Sequence, residues 1–322
     1  MTAHISVVVP FYQKKAGILP KAVASALGQS GGHRVDIVIV DDASPVPARQ
    51  ELAQLMLDWP GRIVIIEQAN AGPAAARNRA LDQVDPGTDY VAFLDSDDEW
   101  IPEHLDNAVK VFEQGSDFYF ADHYQLNQTV SAFARGGRIR AEEHAQIGPD
   151  AHLRAYRGDM FAQILMGNVI GTSTVVYRHR KFPALRFREE FVYAGEDYLF
   201  WLELSQQTDK IAFSSRSETI YGEGVNIFAG SGWGTEKSLT RIHYELKFKK
   251  ALARLFTLNA AQLENNRQAI ATLRKSFVRD VLHRLAHRKP LGAKLMAAHW
   301  KVDPQSFIYF VPLAVGLALR RN

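Results

Sequence analysis

Short apolar runs alternate with segments of helical spacing in the first half of the chain. The apolar runs, which are rich in β-branched residues, are residues 5–9, 35–40, 63–66 and 91–94. The segments with helical spacing or strong helix formers are residues 18–29, 47–58 and 73–84. Strands that alternate with helices in this way predict an α/β fold, in which helices cover both faces of a parallel sheet.

The last third of the chain has a different pattern, in which basic residues stand among apolar ones at helical spacing. Residues 307–319 are its most apolar stretch, but they contain Pro312 and fall short of the roughly 18 apolar residues that a membrane-spanning helix needs. We therefore expect two parts. One is an α/β domain over residues 1–230, and the other is a helical, basic region over residues 231–322.

Charge is distributed unevenly, although the net charge of the 322 residues is only +3. Residues 267–322 contain eleven Lys and Arg against two acidic residues, whereas the rest of the chain has an acidic excess. An acidic body with a basic tail indicates an anionic partner for the tail. Basic residues among apolar ones suit an anionic membrane surface. RNA binding and a plain solvated helical face are the alternatives, and we expect the membrane surface rather than nucleic acid.

The absence of cysteine limits the possible chemistry of the chain, and its first residues indicate the compartment. The chain has no cysteine, which excludes disulfides and thiolate metal sites. Its first eleven residues carry no basic segment followed by a separate apolar run, so no secretory signal is predicted. We therefore expect a cytoplasmic protein.

Three carboxylates, Asp95, Asp97 and Asp98, directly follow the apolar run at residues 91–94. Clustered carboxylates at the end of a buried strand repel one another and lose hydration. A divalent cation is the usual compensation, because Mg²⁺ and Mn²⁺ take oxygen ligands and bridge carboxylates to substrate phosphates. The pattern therefore indicates a metal–diphosphate site. The alternative is a solvated acidic turn that caps the next helix.

Other polar residues follow the first two predicted strands, and ligands bind at the carboxyl ends of parallel strands. Pro10 and Tyr12 follow the first strand, and Asp42 follows the second. Asp42 can accept hydrogen bonds from a base or a ribose, or can form a turn. Arg77 lies one turn into the helix after Gly72, where it can meet a diphosphate or remain on the surface. Neither G-x-G-x-x-G nor a P-loop pattern is present.

Five segments in this order and spacing resemble the family 2 glycosyltransferases of the GT-A fold: SVVVPFYQ, IVIVDDAS, NAGPAAARN, FLDSDDEW and, at residues 193–197, YAGED. The resemblance covers roughly residues 4–205. It implies a Rossmann-like, nucleotide-sugar-binding GT-A fold with a mixed, mainly parallel sheet and a helical C-terminal region. Residues 1–230 would be the catalytic domain.

The same resemblance assigns roles to individual residues. Asp42 would contact the uracil or ribose of the donor. Asp97 would be a direct ligand of Mn²⁺ or Mg²⁺, and Asp95 would face the ribose or reach the metal directly or through water. Asp197 would be the catalytic base, although an acid at a helix start also suits the helix dipole.

The resemblance further implies an inverting enzyme that moves one sugar, expected to be glucose, from a UDP-sugar to a saccharide hydroxyl. Single transfer is favoured because no Gln-x-x-Arg-Trp follows the YAGED segment. Residues 222–234 are similar to bacterial exopolysaccharide glucosyltransferases of the succinoglycan type, which implies a polyprenyl-diphosphate-linked acceptor. We expect a peripheral protein on the inner face of the plasma membrane. The alternative is a catalytically silent nucleotide-sugar-binding or scaffold protein of the same fold.

Three weaker candidates remain. Trp233 lies among glycines and is expected to stack on a sugar, or to anchor an exposed loop. Residues 171–174 are expected to line the acceptor side, or simply to lead into a strand. His243 can complete the metal shell, although a lone helical histidine is more often structural.

Overall fold

The computed structural model of the chain describes residues 2–224 and 232–319. Its internal contacts divide the chain into two compact units. In the described residues, the first unit comprises 2–192 and 196–224, and the second comprises 193–195 and 232–319. The domain boundary predicted after residue 230 lies outside the described residues and stays a prediction.

The described residues form ten strands and thirteen α-helices. The strands are β1 (His4–Phe11), β2 (Arg34–Asp41), β3 (Ile63–Glu67), β4 (Tyr90–Phe93), β5 (Glu99–Trp100), β6 (Phe118–Tyr124), β7 (Ala145–Gln146), β8 (Leu153–Ala155), β9 (Val176–Tyr177) and β10 (Ile211–Ile220). The helices are α1 (Leu19–Leu27), α2 (Ala48–Glu51), α3 (Ala53–Asp58), α4 (Pro73–Leu81), α5 (His104–Glu113), α6 (Ala132–Gly136), α7 (Met160–Met166), α8 (Glu196–Gln207), α9 (Ser238–Leu255), α10 (Ala260–Ala286), α11 (Ala293–Val302), α12 (Gln305–Ile308) and α13 (Phe310–Leu319). Short 3-10 helices cover Ala141–Glu143, Thr172–Thr174 and His179–Lys181.

All ten strands belong to one mixed sheet in the first unit, with the order β3-β2-β1-β4-β9-β6-β10-β8-β7 and with β5 paired to β10. The pairs β1–β2, β1–β4, β2–β3 and β6–β10 are parallel, and the remaining pairs are antiparallel. The apolar residues of β1, β2 and β4 are buried, which is why these strands read as continuous apolar runs. The α/β class and the mainly parallel inner strands are as predicted.

The pairing brings the ends of distant strands to one edge of the sheet. β4 and β6 are both antiparallel to β9, and β10 is parallel to β6. The carboxyl ends of β1, β2, β4 and β10 therefore lie at the same edge. Gln13 confirms this directly, because its side chain donates to Ser96 Oγ and its backbone N–H donates to Ser44 Oγ.

The predicted helix over residues 47–58 is two helices instead, α2 and α3. Leu52 separates them with φ −102° and ψ 6°, and its side chain is fully buried. Glu51, at the end of α2, accepts hydrogen bonds from the backbone of Gly17 and Leu19. The break is therefore fixed by burial and by a cap for α1, neither of which helical spacing reveals.

The second unit is helical, as predicted, and is built from α9 to α13. Its apolar cluster has buried residues from α9 and α10, namely Leu239, Ile242, Phe277, Val278 and Val281. Residues of α12 and α13, including Phe307 and Leu313, pack against that cluster. Among the described helices, none combines the length and apolarity needed to cross a bilayer.

Candidate active site

The acid motif, here Asp95, Asp97 and Asp98, lies at the carboxyl end of β4. Ser173 fixes its shape, because Ser173 Oγ accepts from the backbone N–H of Asp95 at 3.0 Å and donates to Asp98 Oδ2 at 2.6 Å. The other carboxylate oxygen of Asp98 accepts from the backbone N–H of Gly222 at 3.1 Å. Burial, with the charges of the other two acids, raises the pKa of Asp98 well above its usual range. Asp98 is thus an internal anchor of the motif.

Asp97 is partly exposed and has one backbone partner. Its Oδ2 accepts from the N–H of Gly224 at 2.9 Å. Burial, with the nearby Asp95 charge, raises the pKa of Asp97 to about 6. The segment after β10 passes so close that a side chain at Gly222 would meet the backbone carbonyl of Asp97. Both glycines are therefore required by close approach of the backbone to the acid motif.

Arg77 connects the acid motif to helix α8. Its guanidinium is buried, Nη2 donates to Asp95 Oδ1 at 2.7 Å, and Nη1 lies 3.5 Å from Glu196 Oε1. The guanidinium also lies over the Phe187 ring, 5.2 Å from its centroid. Arg77 thus joins an acid of the motif to an acid of the YAGED segment. Its burial is incompatible with the surface position that the sequence also allowed, and its contact with a diphosphate stays a prediction.

Glu196 and Asp197 form the first turn of α8, and they have different neighbours. Glu196 pairs with Arg77, and burial together with the Asp197 charge raises its pKa to about 8. Asp197 Oδ1 accepts from the backbone N–H of Tyr198 at 2.8 Å. Burial also raises the pKa of Asp197, which strengthens its carboxylate as a base. The structure therefore brings Asp197, Arg77 and Asp95 into one cluster.

The other predicted donor contacts lie at the same edge of the sheet. Pro10 is in β1 and Tyr12 directly follows it, and both are partly exposed. Asp42 is buried, and its carboxylate accepts from the backbone N–H groups of Ala71 and Gly72, each at 2.8 Å, and from Gln68 Nε2. The Asp42 carboxylate therefore holds the segment before α4, whereas the turn after β2 is formed by Asp41, which accepts from the backbone N–H of Ser44. The contact of Asp42 with uracil or ribose stays a prediction.

Trp233 and His243 belong to the second unit. The Trp233 ring is half exposed, contacts the His283 ring and has the Arg279 guanidinium 5.4 Å from its centroid. His243 Nδ1 lies 3.2 Å from Nδ1 of His299. This pairing favours a structural role for His243. Stacking of Trp233 on a sugar stays a prediction, and most of the glycine-rich segment before it lies outside the described residues.

The sequence model of Glycosyl transferase family 2 matches residues 6–178, which is more than half of the chain and includes the acid motif. The chain belongs to glycosyl transferase family 2. It is a glycosyltransferase, as the motifs predicted.

Full-length and near full-length relatives support this assignment. The chain is 28% identical over 315 residues to the succinoglycan biosynthesis protein ExoW of Rhizobium meliloti (strain 1021), covering 98% of both proteins. It is 35% identical over 244 residues to the putative teichuronic acid biosynthesis glycosyltransferase TuaG of Bacillus subtilis (strain 168), covering 76% of this chain and 88% of that protein. The predicted similarity to exopolysaccharide glycosyltransferases of the succinoglycan type is thus confirmed.

Solved structures show the GT-A fold. One is the mannosyltransferase PcManGT from Pyrobaculum calidifontis in complex with GDP-Man and Mn²⁺, with a TM-score of 0.57 at 14% identity, covering 98% of this chain and 85% of that chain. Another is S. aureus TarS 1-349 in complex with UDP-GlcNAc, with a TM-score of 0.54 at 17% identity, covering 96% and 82%. The predicted fold class is confirmed.

The acid motif of this glycosyltransferase suits a divalent cation. In the described residues, no group of three or more His, Asp or Glu side chains has the arrangement of a metal site. Asp95 and Asp97, however, are partly exposed carboxylates, and Mg²⁺ is commonly held by one or two carboxylates together with substrate phosphates. Asp98 is buried, with both oxygens engaged. The residues present therefore fit a cation held by Asp97 and Asp95.

Two residues of the glycosyltransferase site were not predicted in these roles. Ser173 is fully buried, so it positions the acid motif rather than lining an acceptor surface, as residues 171–174 were expected to do. Tyr221 follows β10 and stacks on His123 with ring centroids 5.0 Å apart. Burial and the nearby carboxylates, Asp98 first, raise the pKa of Tyr221 well above its usual range. Its phenol therefore stays protonated near these carboxylates.

Proposed function

We propose that this glycosyltransferase moves one sugar, expected to be glucose, from a UDP-sugar to a hydroxyl of a saccharide acceptor, with inversion at the anomeric carbon. The observation that carries the proposal is the cluster that joins Asp95, Arg77 and the acids at the start of α8. The cluster places an acid motif that suits a metal–diphosphate complex beside Asp197, a carboxylate whose pKa is raised. A nucleotide-sugar transfer in one displacement requires both parts.

Asp197 is the residue of this cluster that suits the role of base. Glu196 contacts Arg77 directly, whereas the Asp197 carboxylate accepts from the backbone N–H of Tyr198 and, among the described residues, is not in an ion pair. In the proposed step the acceptor oxygen bonds to the anomeric carbon while the bond from that carbon to the diphosphate oxygen breaks. The acceptor proton passes to the Asp197 carboxylate. Attack from the side opposite the leaving group inverts the anomeric centre.

Asp97, with Asp95, would hold the Mn²⁺ or Mg²⁺ ion that the acid motif fits. When bound, such an ion neutralises charge that develops on the leaving diphosphate. Ser173 and Gly222 keep the motif in place through Asp98, since they occupy both of its carboxylate oxygens. The nucleoside would lie along Pro10, Tyr12 and Asp42. Arg77 would orient Asp95 through the hydrogen bond between them.

The solved structures support the donor class of the proposal, and the names of two relatives motivate the proposed acceptor. TarS was solved with UDP and with UDP-GlcNAc, and PcManGT with GDP-Man and Mn²⁺, so this fold takes nucleoside diphosphate sugars. ExoW is named for succinoglycan biosynthesis, and TuaG, putatively, for teichuronic acid biosynthesis. A polyprenyl-diphosphate-linked saccharide is the acceptor that fits such relatives. The enzyme would then work on the inner face of the plasma membrane.

Calorimetric titration tests the donor and metal assignments. We expect UDP and UDP-glucose to bind the wild-type protein more tightly with Mn²⁺ than with EDTA. Asp97→Asn should lose most of this Mn²⁺ dependence, because it removes a charged ligand. Asp58→Asn, at the end of α3, is the matched control and should titrate like the wild type. Metal-independent UDP binding, or an unchanged Asp97→Asn variant, would contradict the assignment.

Release of UDP from UDP-glucose in the presence of Mn²⁺ tests the transfer chemistry itself, because a catalytically silent protein would bind the donor without consuming it.

A further inference from the structure

Helix α13 has two apolar faces, and among the residues that the structure describes in the second unit, only one of these faces is packed. The inner face consists of Phe310, Leu313, Ala314 and Leu317, which pack against the apolar cluster of α9 and α10. The outer face, as we define it, consists of Ile308 at the end of α12 and Val311, Val315 and Leu319 of α13. Their side chains are 62%, 69%, 53% and 71% exposed. Val311, Val315 and Leu319 are spaced four apart and therefore lie on one side of α13. With Ile308, which ends α12 three positions earlier, they make up what we call the stripe.

The stripe is bordered by aromatic side chains with polar tips. Trp300 and Tyr309 are each 50% exposed, and the Trp300 ring contacts the Phe307 ring with centroids 5.4 Å apart. Phe307 in turn packs against the apolar cluster. Tryptophan and tyrosine favour the boundary between water and hydrocarbon, because one end of each ring system is apolar and the other forms hydrogen bonds. The outer face and its border thus have the composition of a surface that meets lipid.

The charge of the second unit complements an anionic surface. Residues 232–319 contain fifteen Lys and Arg against five acidic residues. Two of those acids are fully buried in ion pairs: Asp303 with Arg274 and Lys250, and Asp280 with Arg284. The exposed charge is therefore carried mainly by cations such as Lys294 and Lys301 of α11. Exposed aliphatic side chains and excess positive charge in the same unit match an anionic bilayer better than a nucleic acid.

We propose that the outer face of α12 and α13 inserts into the interface of an anionic membrane, with the helix lying along the surface. The ten residues of α13 span about 15 Å, half of the roughly 30 Å hydrocarbon core, so the helix lies on the bilayer rather than across it. This proposal rests on the proposed function, because insertion of the outer face would bring the enzyme to a lipid-linked acceptor.

Point substitutions test the outer face without removing the helix. A deletion from residue 303 onward would also remove Asp303, which Arg274, Lys250 and Ser306 bind in the interior, and would unfold the unit for unrelated reasons. We therefore choose the double substitution Val311→Asp with Val315→Asp. Leu57→Asp is the matched control, since Leu57 is 75% exposed on helix α3 of the first unit.

The measurement is cosedimentation of the full chain with phosphatidylcholine vesicles that contain about 30% phosphatidylglycerol, without donor or acceptor. We expect the wild type and Leu57→Asp to bind equally, and the double variant to bind at least about tenfold more weakly, because it loses apolar insertion and adds repulsion. Binding to vesicles of phosphatidylcholine alone should be weak. Added salt should weaken binding to the anionic vesicles, since it screens the attraction of exposed charges.

Two results would overturn the proposal. One is a double variant that binds anionic vesicles like the wild type. The other is a wild-type dimer in analytical ultracentrifugation that the double variant splits, which would make the outer face an interface between two copies. Val311→Ser with Val315→Ser repeats the test if the aspartates disturb folding, as circular dichroism would show. UDP titration of the same samples reports separately on the donor site, so a failed vesicle result leaves the proposed transfer untouched.

Discussion

At the scale of single residues, the two adjacent acids at the start of α8 are both carboxylates, and what distinguishes them is the residues that surround each one. Glu196 contacts the buried Arg77 at 3.5 Å, whereas the Arg77 charge acts on Asp197 without a direct ion pair among the described residues. The resemblance of the YAGED segment to family 2 glycosyltransferases identified the acid pair. It did not reveal that Arg77, which precedes Glu196 by more than a hundred positions, would hold that residue. Local patterns carry no information about a contact between residues so far apart in the sequence.

The raised pKa of Glu196 predicts a pH dependence of stability. Its carboxyl group titrates at about 8 in the folded chain and at an ordinary value near 4.5 when unfolded. Between these values the folded chain binds more protons, so the free energy of unfolding falls as the pH rises. In Glu196→Gln this fall should become shallower between about pH 5 and pH 8. Urea denaturation in EDTA measures it.

The control for this prediction is Glu264→Gln, an exposed acid of α10, which should retain the wild-type slope. If Glu196→Gln shows the same slope as the wild type, the Glu196 carboxyl is ionised in the folded chain at neutral pH, and its place beside Asp197 needs another explanation.

At the scale of elements, the site is assembled where β4 and β10 end. Apolar runs predicted four strands to within two residues at each end, because parallel strands that are buried on both faces have continuous apolar sequences. Their adjacent carboxyl ends followed from the α/β class. The sequence did not predict that the segment after β10 would contact the acid motif. Gly222 and Asp98 are 124 positions apart, and two glycines carry no chemical signal of their own. The split between α2 and α3 was missed for a similar reason, because burial of Leu52 overrides helical spacing.

The close approach of Gly222 to the acid motif predicts a large effect of a small side chain. In Gly222→Ala the added methyl would meet the Asp97 carbonyl and push the segment away from Asp98. We expect the release of UDP from UDP-glucose to slow by about 10²-fold, because small displacements of a catalytic group cost this much. Gly232→Ala is the control, since a side chain there meets open space. Equal rates for both variants would show that the segment does not position the motif.

At the scale of the whole molecule, the chain contains a GT-A unit that carries the acid motif and a helical unit with an exposed apolar stripe. Composition and charge already indicated a basic, helical C-terminal region. The division of α13 into a packed face and an exposed face was beyond the sequence, because every side chain of that helix is apolar or small. Only packing against α9 and α10 decides which side is covered.

The central claim is that Asp197 promotes a single, inverting displacement at the donor. The most direct measurement follows hydrolysis of UDP-α-glucose with Mn²⁺ by proton NMR, with water as the acceptor, before the released sugar equilibrates. We predict that β-glucose appears first. Asp197→Asn should lower the rate by at least about 10²-fold while UDP binds as before, because proton removal matters only in the transition state. Release of α-glucose first, or an undiminished rate in Asp197→Asn, would contradict the account.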